Sequence, residues 1–340
     1  MPAADPAPLT ATVTPIATLH DPMAWVWQGR GFDTAVVERD GHVTTVTLPF
    51  QAQPLRVTAI ANSGPSRFPG LSLDGEGGVI DVAPYSRFSV TDAVRFSYVA
   101  SGPGGTKLVV TDGGLSPTSV SVGDRIYLET PEIAGNTTRY GGELKVVRGD
   151  ITRGIVVMMV SIGDRGQSAQ AQDLGSMLGK ILRFSDDRLP FIPVDNPYPD
   201  TPGVQPLLWS YGHREVTALP ESAGGLSFDS GAGPGGSDEL NYVRPGCNYG
   251  WPSMTATSVA PLFAWATPIR PRDMVVWNNN VLIGADNYSG LIRLTWNGTN
   301  FSEVQRIPLP APIRKLRIYR STLYGLENGT NGRMIEIALQ

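Results

Sequence analysis

The chain has a single cysteine, Cys247. No intramolecular disulfide can form, so cysteine pairing says nothing about compartment. No run of Lys or Arg exceeds two residues, and 27 basic against 31 acidic residues leave a net charge of −4. A phosphate-tracking surface, and with it nucleic-acid binding, is excluded. The longest apolar stretch, Gly154 to Ile162, falls far short of the ~18 residues a membrane helix needs; it reads as a fully buried strand. A sustained i, i+3, i+4 apolar pattern is missing everywhere except Ser168 to Lys180, the one candidate helix. No Pro/Ser/Gly-rich linker without apolar patterning divides the middle, so one domain is expected from 11 to 340, after a flexible segment over 1–10. That opening segment is polar and proline-rich and lacks an apolar signal core. Either the protein is not exported or a signal peptide has been removed; a secreted or lumenal location is the expectation.

What is present is punctuation between apolar runs. The 39 glycines and 29 prolines make one fifth of the 340 residues, below the ~25–30% that signals disorder, and they are spread evenly. Apolar residues reach 41%, with 7 Trp, 11 Tyr and 10 Phe, enough for a large core. One shape recurs: an apolar pair, a turn, an apolar triplet, a glycine turn and a strand of period two. It is seen at Met23 to Leu48, Asp273 to Trp296 and Lys315 to Leu339. A further copy spans Gly142 to Gly166 with Gly179 to Phe184; Phe68 to Val110 and Gly224 to Val243 complete six. Repeats of antiparallel sheet at this spacing mean a β-propeller. The all-β expectation is therefore six four-stranded blades. Closure would come from a first strand near Ala11 to Leu19 beside the last, Met334 to Leu339, which hides both edges. Five N-x-S/T sequons, at Asn136, Asn287, Asn297, Asn300 and Asn328, mark glycan sites if the protein is exported from a eukaryotic cell.

Chemistry-bearing motifs concentrate between Ser161 and Pro252. They are Ser161-Ile-Gly-Asp-Arg-Gly166, Ala171-Gln-Asp-Leu174, Leu178-Gly-Lys-Ile-Leu-Arg183, Asp195-Asn-Pro197, Trp209-Ser-Tyr-Gly-His-Arg214, Gly236-Ser-Asp-Glu-Leu-Asn241 and Asn248-Tyr-Gly-Trp-Pro252. In this order they resemble the glucose/sorbosone dehydrogenase family, six-bladed propellers that oxidise aldoses with pyrroloquinoline quinone (PQQ) and calcium. The resemblance is strongest from Arg139 to Pro252.

It implies a site that has been rebuilt. The family's basic histidine falls on Arg139, and an arginine, always protonated, cannot accept a proton. A quinone-holding arginine stays as Arg214, while neighbouring amides become Glu215 and Thr217. A carboxylate at 215 repels a tricarboxylated quinone. A cofactor lysine falls on Asn287, one of two late arginines on Pro312 with the other kept as Arg314, and a glutamine on Pro65 or Ser66. For calcium, the resemblance implies the carbonyls of Gly233 and Pro234, and a structural site at Asp238, Glu239 and Tyr249; carbonyls and carboxylates suit a hard cation.

Other polar residues have plainer readings. His213 reads as a hydrogen-bonded strand end, with substrate contact as the sharper alternative. His20, His42 and Asp186-Asp187 read as solvated turns, Cys247 as a small buried hydrophobe, and Asp164-Arg165 as a turn network. Arg139, Arg214 and Arg314 are expected to point into the axial pocket, paired with Glu215 and Asp164 or with a ligand.

Two functions follow. The first is a non-redox enzyme that needs no cofactor. It would cyclise a small organic substrate, as in a hetero-Diels–Alder reaction of natural-product biosynthesis, by positioning and by hydrogen bonds from Arg139, Arg214 or Tyr140. Glu215 belongs to the same catalytic set, with Asp164, His213, Thr217, Asn287 and Arg314 around the substrate. The alternative is a PQQ- and calcium-dependent aldose dehydrogenase with Glu215 or Asp164 as base. A binding module without catalysis is the third reading.

Overall fold

Six short strands, each opening a repeat, stand side by side around one axis: Pro22–Trp27, Val79–Pro84, Gly141–Val147, Val216–Ala218, Pro271–Trp277 and Ile313–Tyr319. Each packs on the next and the last returns to the first, closing a ring. In the computed structural model, which describes residues 7–29, 31–85, 91–147, 156–185, 192–220 and 225–340, each inner strand begins a four-stranded antiparallel sheet. The molecule is thus a six-bladed propeller. Ala11–Thr18 pairs with Arg333–Leu339 from Ala11 opposite Leu339 to Thr18 opposite Arg333 and completes the last blade. The expected closure is therefore present.

Apolar faces of adjacent blades interlock. Trp27 of the first blade lies 4.9 Å from Tyr319 and 5.4 Å from Tyr324 of the last. In the second blade Phe96 and Tyr98 pack edge-on against Phe68. The apolar run ends as the buried strand Val157–Ile162, with Gly154 and Ile155 outside the described residues. No described helix is long and apolar enough to cross a membrane.

Three expectations need correction. Ser168 to Lys180 is not a helix: one 3-10 turn, Ser168–Ala171, is followed by turns. Gly179 explains why. At φ +66° a side chain there would strike the Ala171 Cβ at 2.5 Å and the His213 carbonyl at 2.6 Å, so the chain folds back on itself and enters the strand Lys180–Ser185. The repeats at Phe68 to Val110 and Gly224 to Val243 were drawn too short, since their sheets run on to Val120–Glu129 and Phe263–Trp265. Within the segment expected to be flexible, Ala7, Leu9 and Thr10 are tied to Arg293, Gln305 and Gln340. Asp186-Asp187 lie outside the described residues.

The inner strands share one irregularity. Each carries a β-bulge within its first residues: between Pro22 and Ala24, Val79 and Asp81, Gly141 and Leu144, Val216 and Ala218, Pro271 and Asp273, and Ile313 and Lys315. A bulge leaves a residue out of the ladder and re-aims its side chain. Six blades thereby deliver Met23, Ile80, Glu143, Thr217, Arg272 and Arg314 to one place, a cavity at the N-terminal end of the axis.

Candidate active site

The cavity holds about 180 Å³. Besides the six bulge residues, its wall includes Asp21, Arg39, Glu76, Tyr140 and Glu215. The Glu215 backbone is fixed by its N–H, which donates to Asp229 Oδ1 at 2.8 Å. Its carboxyl lies deep among the inner strands, and among the described residues none forms an ion pair with it. Burial, and then the nearby Glu76 charge, push its pKa up to about 7 against the pull of Arg272, Arg270 and Arg214. Arg272 is locked on Asp286 (2.6 Å) and held firmly protonated. Arg314 donates through Nε and Nη2 to Asn328 Oδ1 at 3.0 and 2.6 Å. Among the described residues no carboxylate pairs with it, and burial beside Arg272 lowers its pKa to about 10. Its charge is poorly satisfied. Arg39 holds the carbonyls of Leu73, Gly75 and Gly77.

The rim is an ion network. Glu76 accepts the Arg139 N–H at 2.7 Å and pairs with Arg270 at 3.0 Å. Arg139 has φ 55° and Arg270 φ 51°, a left-handed conformation uncommon for arginine and characteristic of constrained sites. The Arg139 guanidinium pairs with buried Asp164 at 3.0 Å. Gly163 permits that seating, since a side chain there would overlap the Arg139 carbonyl.

The residues expected from sequence therefore separate. Glu215, Thr217, Tyr140 and Arg314 line the cavity. The Tyr140 hydroxyl, however, bonds Thr106 Oγ1 at 2.7 Å, and Thr217 Oγ1 donates to the Pro271 carbonyl at 2.6 Å. Arg214 does not point in as expected. Its Nη1 donates to the Ser230 carbonyl at 3.1 Å and its guanidinium stacks on Trp251. Of the expected pairings, Arg139–Asp164 forms. Asn287 is exposed, with Nδ2 on the Pro268 carbonyl.

His213 is buried, with Nε2 on Ser210 and Nδ1 on Asp229, and stacks on Tyr249. It is a strand-end brace rather than a substrate contact. His20 and His42 are exposed. Asp164 and Arg165 form the expected turn network, with Arg165 stacked over Tyr140 at 3.9 Å and bonded to Thr106 and Asn136. Cys247 is half-buried, not a core residue.

The loop from Gly233 to Tyr249 is braced by protein donors. Asp238 Oδ1 accepts from Ser230 Oγ and the Gly231 N–H, and Oδ2 from the Ile269 and Arg270 N–H groups, at 2.7–2.9 Å. The Gly233 carbonyl accepts the Gly236 N–H. The Tyr249 hydroxyl donates to the Tyr242 carbonyl and accepts the Arg244 N–H. Glu239 packs under Gly233, and burial near Asp229 pushes its pKa up to about 7. Pro234 opens the 3-10 turn Pro234–Gly236. Asp238 is held by four protein donors, as an N–H-capped turn. Asn328, holding both Arg314 and Asp286, is a structural amide and not a free glycan acceptor.

Sequence reasoning missed Glu76, Glu143, Arg270, Arg272 and Asp286. A signal existed for two of them: Gly142-Glu143 and Pro271-Arg272 each put a charge at the start of an apolar inner strand.

Known proteins share this architecture. The E. coli aldose sugar dehydrogenase YliI is 27% identical over 309 residues, 80% of each chain. A crystal structure of an E. coli soluble aldose sugar dehydrogenase superposes with a TM-score of 0.81 at 24% identity, covering 97% of this chain and 99% of that one. The PQQ-bound aldose sugar dehydrogenase of Streptomyces coelicolor gives 0.72 at 22%, covering 99% and 100%. At these identities the two structures speak for the fold. The sequence model of the glucose/sorbosone dehydrogenase family matches residues 19–336, and the chain belongs to that family.

Proposed function

We propose that the chain oxidises a hydroxyl of an aldose or similar polyhydroxylated ring in the axial cavity, with PQQ as electron acceptor and Glu215 as the proton acceptor. Family membership and the aldose sugar dehydrogenase relative support the reaction class. One observation carries the residue assignment: Glu215 faces the cavity with a pKa near 7. A general base works best when its pKa lies near the working pH. Arg139 cannot serve, and Glu215, on the next blade, supplies the missing acceptor.

The donor set fits an anionic cofactor on one wall. Arg314 and Arg272 face the cavity, and among the described residues no carboxylate pairs with Arg314; these two would hold carboxylates of the quinone. The bound quinone supplies the acceptor for two electrons. The cavity is smaller than the ~300 Å³ at the low end for drug-sized ligands, so such a group also takes up the rim at Glu76 and Arg270. Glu215 opposes an anion when ionised and not when protonated, so quinone affinity falls as pH rises through about 7. The cyclisation reading loses its donors: Arg139, Arg214 and the Tyr140 hydroxyl are each engaged by the protein.

Calorimetric titration with PQQ, with and without calcium, followed by dye-linked oxidation of a panel of aldoses, tests the proposal. Binding at pH 6 that weakens at pH 8, with sugar-dependent turnover, is expected. No binding at either pH, or binding without turnover of any aldose, overturns it.

A further inference from the structure

A second cavity of about 350 Å³ occupies the other end of the axis. It is lined by the later residues of the inner strands, among them Trp25, Lys145 and Arg317, and by Tyr85 and the exposed Gln28 just beyond two of them. Glu143 lines both cavities. Its carboxylate lies 2.7 Å from Lys315 Nζ, which is 3.6 Å from Asp81. Asp81, Asp273 and Lys315 line the lower cavity and not the upper. Each aspartate is fixed by backbone N–H groups, Asp81 by Leu144 and Asp273 by Met274 and Leu316. Three carboxylates and one ammonium, from two pairs of neighbouring blades that face each other across the axis, therefore form a polar cluster between the cavities.

We propose that Glu143, Lys315, Asp81 and Asp273 form a proton path along the propeller axis, from the upper cavity to the lower. The proposal rests on the reading of the upper cavity as the site where a substrate hydroxyl loses its proton. Glu143 starts protonated. Lys315 releases a proton to Asp81 and, its lone pair freed, takes the Glu143 proton; the ionised Glu143 then accepts the proton from the upper cavity. The ammonium ends unchanged, Glu143 is again protonated, and one proton has moved to the lower wall. Three carboxyl groups around one lysine cannot all ionise cheaply in a buried site, so the cluster holds a proton that it can pass on. In agreement, burial pushes Glu143 up to about 8 and Asp273 up to about 6, while Lys315 stays firmly protonated. The charges that set Glu143 are Lys315, Asp81 and Asp273; Arg314, Arg272 and Glu215 share the upper wall with it, and Lys145 lies on its own strand.

Infrared titration of the intact protein, without substrate, reads the shared proton directly. Wild type is expected to show a carboxyl band that disappears near pH 8 and is missing from Glu143→Gln. Asp81→Asn removes a negative neighbour and is expected to lower that midpoint by about one pH unit, a tenfold shift in the equilibrium. With turnover established, Lys315→Met is expected to slow it by ~10²-fold at saturating substrate with KM unchanged, the low end for a positioned proton-transfer group. A band that survives in Glu143→Gln, a midpoint unmoved by Asp81→Asn, or Lys315→Met turning over like wild type overturns the path. The infrared result needs no sugar oxidation, so failure of the enzymatic reading is seen separately. Asp273→Asn gives the same readout should Asp81→Asn not fold.

Discussion

At the scale of single residues, the site turns on groups whose charge is left unsettled. Arg314 lies deep, bonded to an amide and not to a carboxylate. Replacing it with Gln is expected to weaken PQQ binding by about 10- to 100-fold, since a charge-assisted hydrogen bond contributes ~1.5–3 kcal/mol. Melting temperature should stay close to wild type, because no ion pair is lost. Equal affinity by calorimetry would remove Arg314 from the site. Asp229 is the opposite case. It is buried and accepts from His213 and from the Arg214 and Glu215 N–H groups. His213 drew attention in the sequence because histidine so often does chemistry; here Asp229, 16 residues further on, makes it a brace. No spacing rule links those two positions, so that outcome was not legible.

At the scale of elements, the Gly233 to Tyr249 loop is held by N–H donors on Asp238, and the strand it feeds buries Glu239. In the fold Glu239 titrates near 7, against 4.5 for an unperturbed glutamate. The folded state therefore binds more protons than the unfolded state between those values, and stability falls as pH rises through that window. Glu143 and Glu215 act in the same direction. Glu239→Gln is expected to raise stability at pH 8 by on the order of 2 kcal/mol and to change little at pH 5. Urea unfolding at both pH values checks this, and equal stability of the two proteins at pH 8 would contradict it. The motif order did lead to this loop, but not to what holds it. A Gly-Pro loop with two carboxylates reads equally well as a cation site or as an N–H-capped turn. The N–H donors on Asp238 Oδ2 come from Ile269 and Arg270, too distant in sequence for the motif to reveal them.

At the scale of the whole molecule, blade number and closure were readable because each repeat carries its own period-two pattern and turn residues. Closure follows from an apolar strand left over at each end. Deleting residues 7–18 is expected to leave Arg333–Leu339 as an open edge, lower the melting temperature and promote association; a monomer that melts like the full chain would show that the closing strand is dispensable. The cavity was much less legible. Six of its residues come one from each blade, delivered by bulges, and a bulge is invisible to a repeat pattern that counts apolar positions. Arg272 and Glu143 could be noticed as charges inside inner strands, but their convergence with Arg314 and Glu215 needs the closed ring. Of the residues that the resemblance singled out, Glu215, Thr217 and Arg314 line this cavity, while Arg214 and Asn287 are turned to other partners.

The most direct test compares pH–rate profiles of PQQ-loaded wild type and Glu215→Gln during aldose oxidation, with PQQ affinity measured on both. The account predicts wild-type turnover that rises with pH through about 7, and a variant that binds the quinone at least as tightly at pH 8 while turning over ~10²- to 10⁴-fold more slowly. A variant that keeps the wild-type rate and pH profile would contradict the assignment of Glu215 as the proton acceptor.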